Sequence, residues 1–177
     1  QWALHVGNEF DAYAGDVDIV LSLNGNDFHD NLDGGVCIAD EDKEYGSSVS
    51  VIGSGNSVTN NGGYGYYIYT LGDGDITVDL TGETITGQGT GVFVEDTGLS
   101  STSSYIVSVT GGDITGNTDY GVNNTVASGL TVDATNNWWG DNSGPYHATL
   151  NPSGLGDELS DYVSFVPWTG MVVGPPA

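Results

Sequence analysis

The chain has 177 residues with 24 aspartates and glutamates against one basic side chain, Lys43, a formal net charge of −23. That balance excludes nucleic acid and anionic membrane surfaces as partners, since both need Lys or Arg to meet their phosphates. Twenty-nine glycines, few straight-chain helix formers, a lone Cys37 and no long apolar run predict an all-β chain rich in turns, with no intrachain disulfide and no membrane insertion by a helix.

Taken in chain order, residues 1–15 carry Trp2, Leu4, Val6 and Phe10 but do not fill a repeat, and read as an N-terminal cap or edge segment. The start at Gln1 rather than Met is read as an exported, extracellular or cell-surface protein whose leader has been removed. Residues 16–145 are repetitive. The block Asn24-Gly25-Asn26-Asp27-Phe28-His29-Asp30-Asn31 returns at 54–61, 81–88 and 110–117, with Gly second, an apolar residue fifth and an amide eighth. Before each block lies an alternating run: Ile19–Leu23, Val49–Gly53, Ile76–Leu80 and Tyr105–Val109. Period-two alternation predicts strands with one buried face. The expected inward files are Ile19, Val49, Ile76, Tyr105 and, beside it, Leu21, Val51, Val78, Val107. A second strand follows each block, at Gly35–Ile38, Gly65–Ile68, Gly91–Val94 and Gly121–Asn124. With the short strand centred on Phe28, Val58, Ile85 and Ile114, each repeat holds three strands. Strands stacked at about 4.8 Å per coil predict a single-stranded parallel β-helix of four to five coils with terminal caps.

The fifth pass changes character. Leu130–Ala134 still reads as a strand, but Thr135-Asn136-Asn137-Trp138-Trp139-Gly140 replaces the ordinary block. The run Val132–Pro145, with Asn151-Pro152-Ser153-Gly154, Asp161 and Phe165-Val166-Pro167-Trp168, resembles the closing coil of right-handed parallel β-helix repeat proteins. These are pectate-lyase-like solenoids of exported bacterial and archaeal surface proteins. The resemblance covers residues 16–168; it implies the right-handed coil, which agrees with the general hand of parallel crossovers. Residues 146–177 read as a C-terminal cap or flank segment with a tail.

Asn31, Asn61, Gln88 and Asn117 fall in one column, where stacked amides are expected to bond one another and the backbone. His29, Thr59, Thr86 and Thr115 form a polar rank beside Asp27, Ser57, Thr84 and Asp113, expected as solvated strand surface, with an ice-binding face as the alternative. On the second strands, Val36, Ile38, Tyr66, Ile68, Val92 and Val94 point in, which turns Cys37, Tyr67, Tyr69 and Phe93 out. Such an apolar column has to be covered, either by Phe165 and Trp168 of the C-terminal segment or by another protomer or sugar rings. Trp2, Trp138 and Trp139 are candidate contacts at the two ends. For Ca²⁺, the candidate ligands are Asp73 and Asp75 in the Gly72–Asp75 turn and Asp27 and Asp30 in the first block, oxygen donors suited to a hard cation but not spaced as an EF-hand. Asn123-Asn124-Thr125 is a glycosylation sequon at Asn123, expected on an exposed loop.

Lyases and hydrolases occur among the proteins the chain resembles. A polysaccharide lyase needs a basic residue at the uronate, yet arginine is missing and Lys43 lies between Asp42 and Glu44. His5, His29 and His147 lack metal-ligand spacing. The expectation is a non-enzyme: an extracellular structural or adhesive solenoid whose partner is itself, through its ends in a surface layer or filament, or a surface glycan. The alternatives are a carbohydrate-binding module or remnant of a polysaccharide-active enzyme, and an ice-binding protein.

Overall fold

The structure, a computed structural model, describes residues 1–8, 17–41, 47–71, 74–95, 97, 104–126 and 130–171. These form a helix-free parallel β-solenoid of about 5 turns. One sheet stacks β1 (Trp2–Asn8), β4 (Gly34–Asp40), β7 (Tyr64–Thr70), β10 (Thr90–Glu95) and β13 (Tyr120–Asn124). A second stacks β2 (Asp18–Asn24), β5 (Ser48–Ser54), β8 (Asp75–Thr81), β11 (Ser104–Thr110), β14 (Val132–Asp133) and β17 (Val163–Ser164). The third holds the short strands β3 (Asp27–His29), β6 (Ser57–Thr59), β9 (Thr84–Thr86) and β12 (Asp113–Thr115). Near the C-terminus β15 (Pro145–Tyr146) pairs with β16 (Gly156–Glu158).

The register puts like side chains in vertical files. Ile19, Val49, Ile76 and Tyr105 pair across the second sheet, and so do Leu21, Val51, Val78 and Val107. Phe28, Val58, Ile85 and Ile114 line the third sheet, and Val36, Tyr66, Val92 and Val122 the first. These files meet in one core. The turns between the second and third sheets need a left-handed residue, supplied by Gly25, Gly55, Gly82 and Gly111 at φ 62–70°. Space is open around each of them, so backbone conformation rather than crowding selects glycine there.

Two polar ladders staple the turns. In the expected one, Asn31 donates to Asn61 Oδ1 (2.9 Å), and the backbone N–H groups of Asn61 and Gln88 donate to Gln88 Oε1 (3.4 Å) and Asn117 Oδ1 (3.2 Å). The side-chain NH₂ groups of Asn61, Gln88 and Asn117 donate to carbonyls of Phe28, Val58 and Ile85. The ladder ends on Asp157, whose carboxylate accepts from the backbone N–H of Gly116 and Asn117 and from Asn117 Nδ2, at 2.8–2.9 Å. A second ladder runs through the third place of each block. Asn26 donates to Asn56 Oδ1 (2.9 Å), Asn56 to Glu83 Oε1 (3.0 Å), and one coil further Asn137 Oδ1 accepts from the Gly112 N–H (2.8 Å).

The two ends differ. Beyond the last coil, Trp138 bridges to Asp113 and Leu159 to Val122, β17 lies on β14, and Trp139 is fully buried. Trp168 packs over Gly144 and its Nε1 donates to the Asn142 carbonyl (3.1 Å). At the other end, β1, β2 and β3 are the edge strands, and Leu4, Ile19, Leu21 and Phe28 are only partly buried among the described residues.

Candidate functional site

The outward face of the first sheet carries an aromatic stack. The register brings Cys37, Tyr67, Phe93 and Asn123 into one file and Gly34, Tyr64, Thr90 and Tyr120 into the next. Gly34 has no side chain, and the Trp2 ring lies where its Cβ would be. Ring centroids are 5.7 Å apart for Trp2–Tyr67, 5.1 Å for Tyr64–Tyr67, 5.6 Å for Tyr67–Phe93 and 5.3 Å for Tyr64–Phe93, with planes within 9–18° of parallel. Parallel rings lying flat in one plane would collide at such distances. The rings are therefore stepped in height and stacked with an offset rather than coplanar.

The Tyr67 hydroxyl donates to Glu95 and the Tyr69 hydroxyl to Glu41. Burial, and then these carboxylate partners, push both phenols above their ordinary range. Cys37 lies next to Tyr67 in its file, 2% exposed. Burial and the Glu41 charge push its thiol up to about 12, so it stays protonated and unreactive.

The stack stops at Phe93, because the next residue in its file is Asn123. A groove of about 600 Å³ opens there, lined by Tyr64, Phe93, Asp119, Tyr120, Asn123 and Glu158. Gly63 and Gly89 form part of its wall. A Cβ on Gly89 would stand 2.8 Å from the Gly63 carbonyl oxygen, so the coils meet closely only because this turn lacks side chains. One aromatic face, one amide, one phenol and two carboxylates converge on a concave surface. That set can pack the apolar face of a ring and bond to its polar rim.

Among the described residues, Phe165 and Trp168 do not cover this face, contrary to expectation. Pairing of Val132 and Asp133 with Val163 and Ser164 holds the C-terminal segment over the end of the solenoid. Phe165 stacks there on His147, 6.0 Å between centroids, and meets Trp168. Cys37 is buried beside Tyr67 in its file all the same. Of the tryptophans expected as contacts, Trp2 opens the stack and Trp138 is partly buried at the closing coil, whereas Trp139 is sealed inside and offers no surface. Asn123 lies within β13 facing the groove, not on an exposed loop.

The Ca²⁺ candidates belong to two separate regions. Asp27 and Asp30 are exposed beside His29, and Asp75 begins a strand of another sheet; Asp73 lies outside the described residues. The Asp30 hydrogen bond (2.9 Å), then the charges of Asp27 and Asp30, hold His29 above its usual value. Among the described residues no three His, Cys, Asp or Glu side chains form a group that could hold a metal. The polar ranks of the third sheet are in register as expected, Asp27-Ser57-Thr84-Asp113 and His29-Thr59-Thr86-Thr115.

Sequence reasoning missed Tyr64, Asp119, Tyr120 and Glu158. The first and third were within reach, since each precedes a glycine (Gly65, Gly121) already aligned. Glu158 had no signal, because it comes from the non-repeating segment. The buried Glu83 was missed too. It is 1% exposed and accepts from the Tyr66 hydroxyl at 2.6 Å. Desolvation raises its pKa, against hydrogen bonds from Tyr66 and Asn56.

No protein-family model, no curated protein and no solved structure matches the chain. The class of protein is thus defined by the fold itself: an all-β parallel solenoid closed at its C-terminal end, with an aromatic groove on its first sheet.

Proposed function

We propose that the protein is a non-catalytic adhesion module, acting outside the cell, that holds a neutral glycan in the groove beyond Phe93. The observation that carries this reading is the end of the stack. Phe93 stacks with Tyr67 and Tyr64 and borders a groove ringed by Tyr120, Asn123, Asp119 and Glu158. The C–H face of a pyranose packs on such a ring, and its hydroxyls pair with amide and carboxylate groups. Because Tyr64 and Tyr67 already brace Phe93, little ordering is needed on binding. The charge of −23 sets neutral sugars above uronates and sulfated glycans, which share its sign.

The test is a glycan array followed by calorimetry on the full chain. Neutral oligosaccharides are expected to bind, and Phe93→Ala to weaken them at least tenfold. Absence of binding to every neutral glycan at millimolar concentration would sink the proposal.

Self-association is favoured by a different observation, the partly buried Leu4, Ile19, Leu21 and Phe28 at the N-terminal end. With the opposite end covered by residues 130–171, two such ends meeting suits the molecule better than a head-to-tail filament. Sedimentation across a concentration series separates dimer from monomer. We place the chain in descent with pectate-lyase-like right-handed β-helix proteins; its support is that Asn136–Gly140 sits at the closing coil.

A further inference from the structure

A smaller cavity of about 240 Å³ adjoins the groove, sharing Tyr120 and Glu158 with it and adding His147, Ala148, Leu159 and Asp161. His147 is 3% exposed, with its ring against Phe165. The backbone N–H groups of Thr149 and Leu150 donate to its Nδ1 at 3.3 and 3.2 Å. A ring nitrogen that accepts carries no proton, so the neutral ring holds its N–H on Nε2. That Nε2 makes no hydrogen bond among the described residues. Asp161 Oδ1 stands 3.5 Å away, too far for a hydrogen bond, on a side chain 80% exposed. A buried donor with its tautomer fixed and no acceptor in place is costly unless something supplies one.

We propose that this cavity is the subsite for the acetamido group of an N-acetylated amino sugar whose ring lies on Phe93. The acetamido carbonyl accepts from His147 Nε2, its N–H donates to the carboxylate of Glu158 or Asp161, and its methyl meets Leu159 and Ala148. Each group of the acetamide thus finds a complement; a bare hydroxyl has only one atom to serve as both donor and acceptor, and brings no methyl for Leu159 and Ala148. A free ammonium has three donors and no acceptor, so it leaves Nε2–H unmet. A carboxylated sugar meets Glu158 and Asp161 with its own sign. The inference rests on the glycan-binding reading above and names its substrate class.

The test compares three β-1,4-linked trisaccharides by calorimetry on the full chain: N-acetylglucosamine, glucose and glucosamine. The N-acetylated form is expected to bind at least tenfold tighter than the other two. His147→Asn keeps an acceptor for the Thr149 and Leu150 N–H groups but lacks Nε2, and is expected to bring the N-acetylated and plain trisaccharides within threefold of each other. On the unmodified protein, the His147 Nε2–H resonance is expected to shift with N-acetylglucosamine trisaccharide and not with the glucose form, which keeps the test decisive if the variant does not fold. Equal affinity for the three, preference for glucosamine, or a silent Nε2–H overturns the subsite while leaving the glycan reading intact. Failure of all three to bind removes both.

Discussion

Phe93 and Glu83 show how one side chain acquires its role from the stack around it. Phe93 would be an ordinary exposed aromatic on a single strand; beneath Tyr64 and Tyr67 it becomes the last ring of a braced column. Glu83 occupies a ladder place held by Asn26 and Asn56 in the preceding coils, buried with Tyr66 and Asn56 as hydrogen-bond donors. Burial lifts its pKa, so the folded state binds its proton more tightly than the unfolded chain does. Glu83 therefore costs stability as pH rises from the unfolded glutamate value, about 4.3, through the raised folded value, and that cost is relieved on acidification. Glu83→Gln keeps the acceptor for Asn56 and removes the charge. The variant is expected to melt higher than the parent at pH 7, and the difference to shrink toward pH 4, read by thermal melts across that range. A lower melting temperature at pH 7 would show that the ionised carboxylate is the stabilising form.

At the scale of the element, the strands depend on their turns being stapled. Asp157 ends the amide ladder with an acceptor-only group, taking three N–H donors at once. Asp157→Ala leaves those donors to water and is expected to cost about 2 kcal/mol in a urea melt; a loss below a few tenths would mean the ladder closes without it. In the core, Ile85 is fully buried between Val58 and Ile114 in the third-sheet file, and Ile85→Ala is expected to cost about 2–5 kcal/mol. Most of these strands were legible because inward files such as Leu21, Val51, Val78 and Val107 alternate at period two and recur at one spacing. The second ladder was not, since Glu83 departs in type and charge from Asn26 and Asn56, and polar residues beside a turn glycine read as solvent-facing. The placement of Phe165 and Trp168 was not legible either, because the segment that carries them has no repeat to set its register.

For the whole molecule, charge and asymmetry dominate. Folding gathers 24 carboxylates around almost no basic groups, so self-repulsion opposes the compact state and salt screens it. The melting temperature is expected to rise as NaCl goes from 10 mM to 500 mM, and a flat response would leave repulsion without a part. The solenoid itself follows from repetition, whereas the groove arises where repetition fails: Asn123 replaces an aromatic, and Glu158 arrives from outside the repeat. A crystal structure of the protein with a bound N-acetylglucosamine trisaccharide tests this most directly. A sugar ring is expected on Phe93, between Tyr120 and Asn123; a sugar seated elsewhere, with Phe93 still bare, would contradict it.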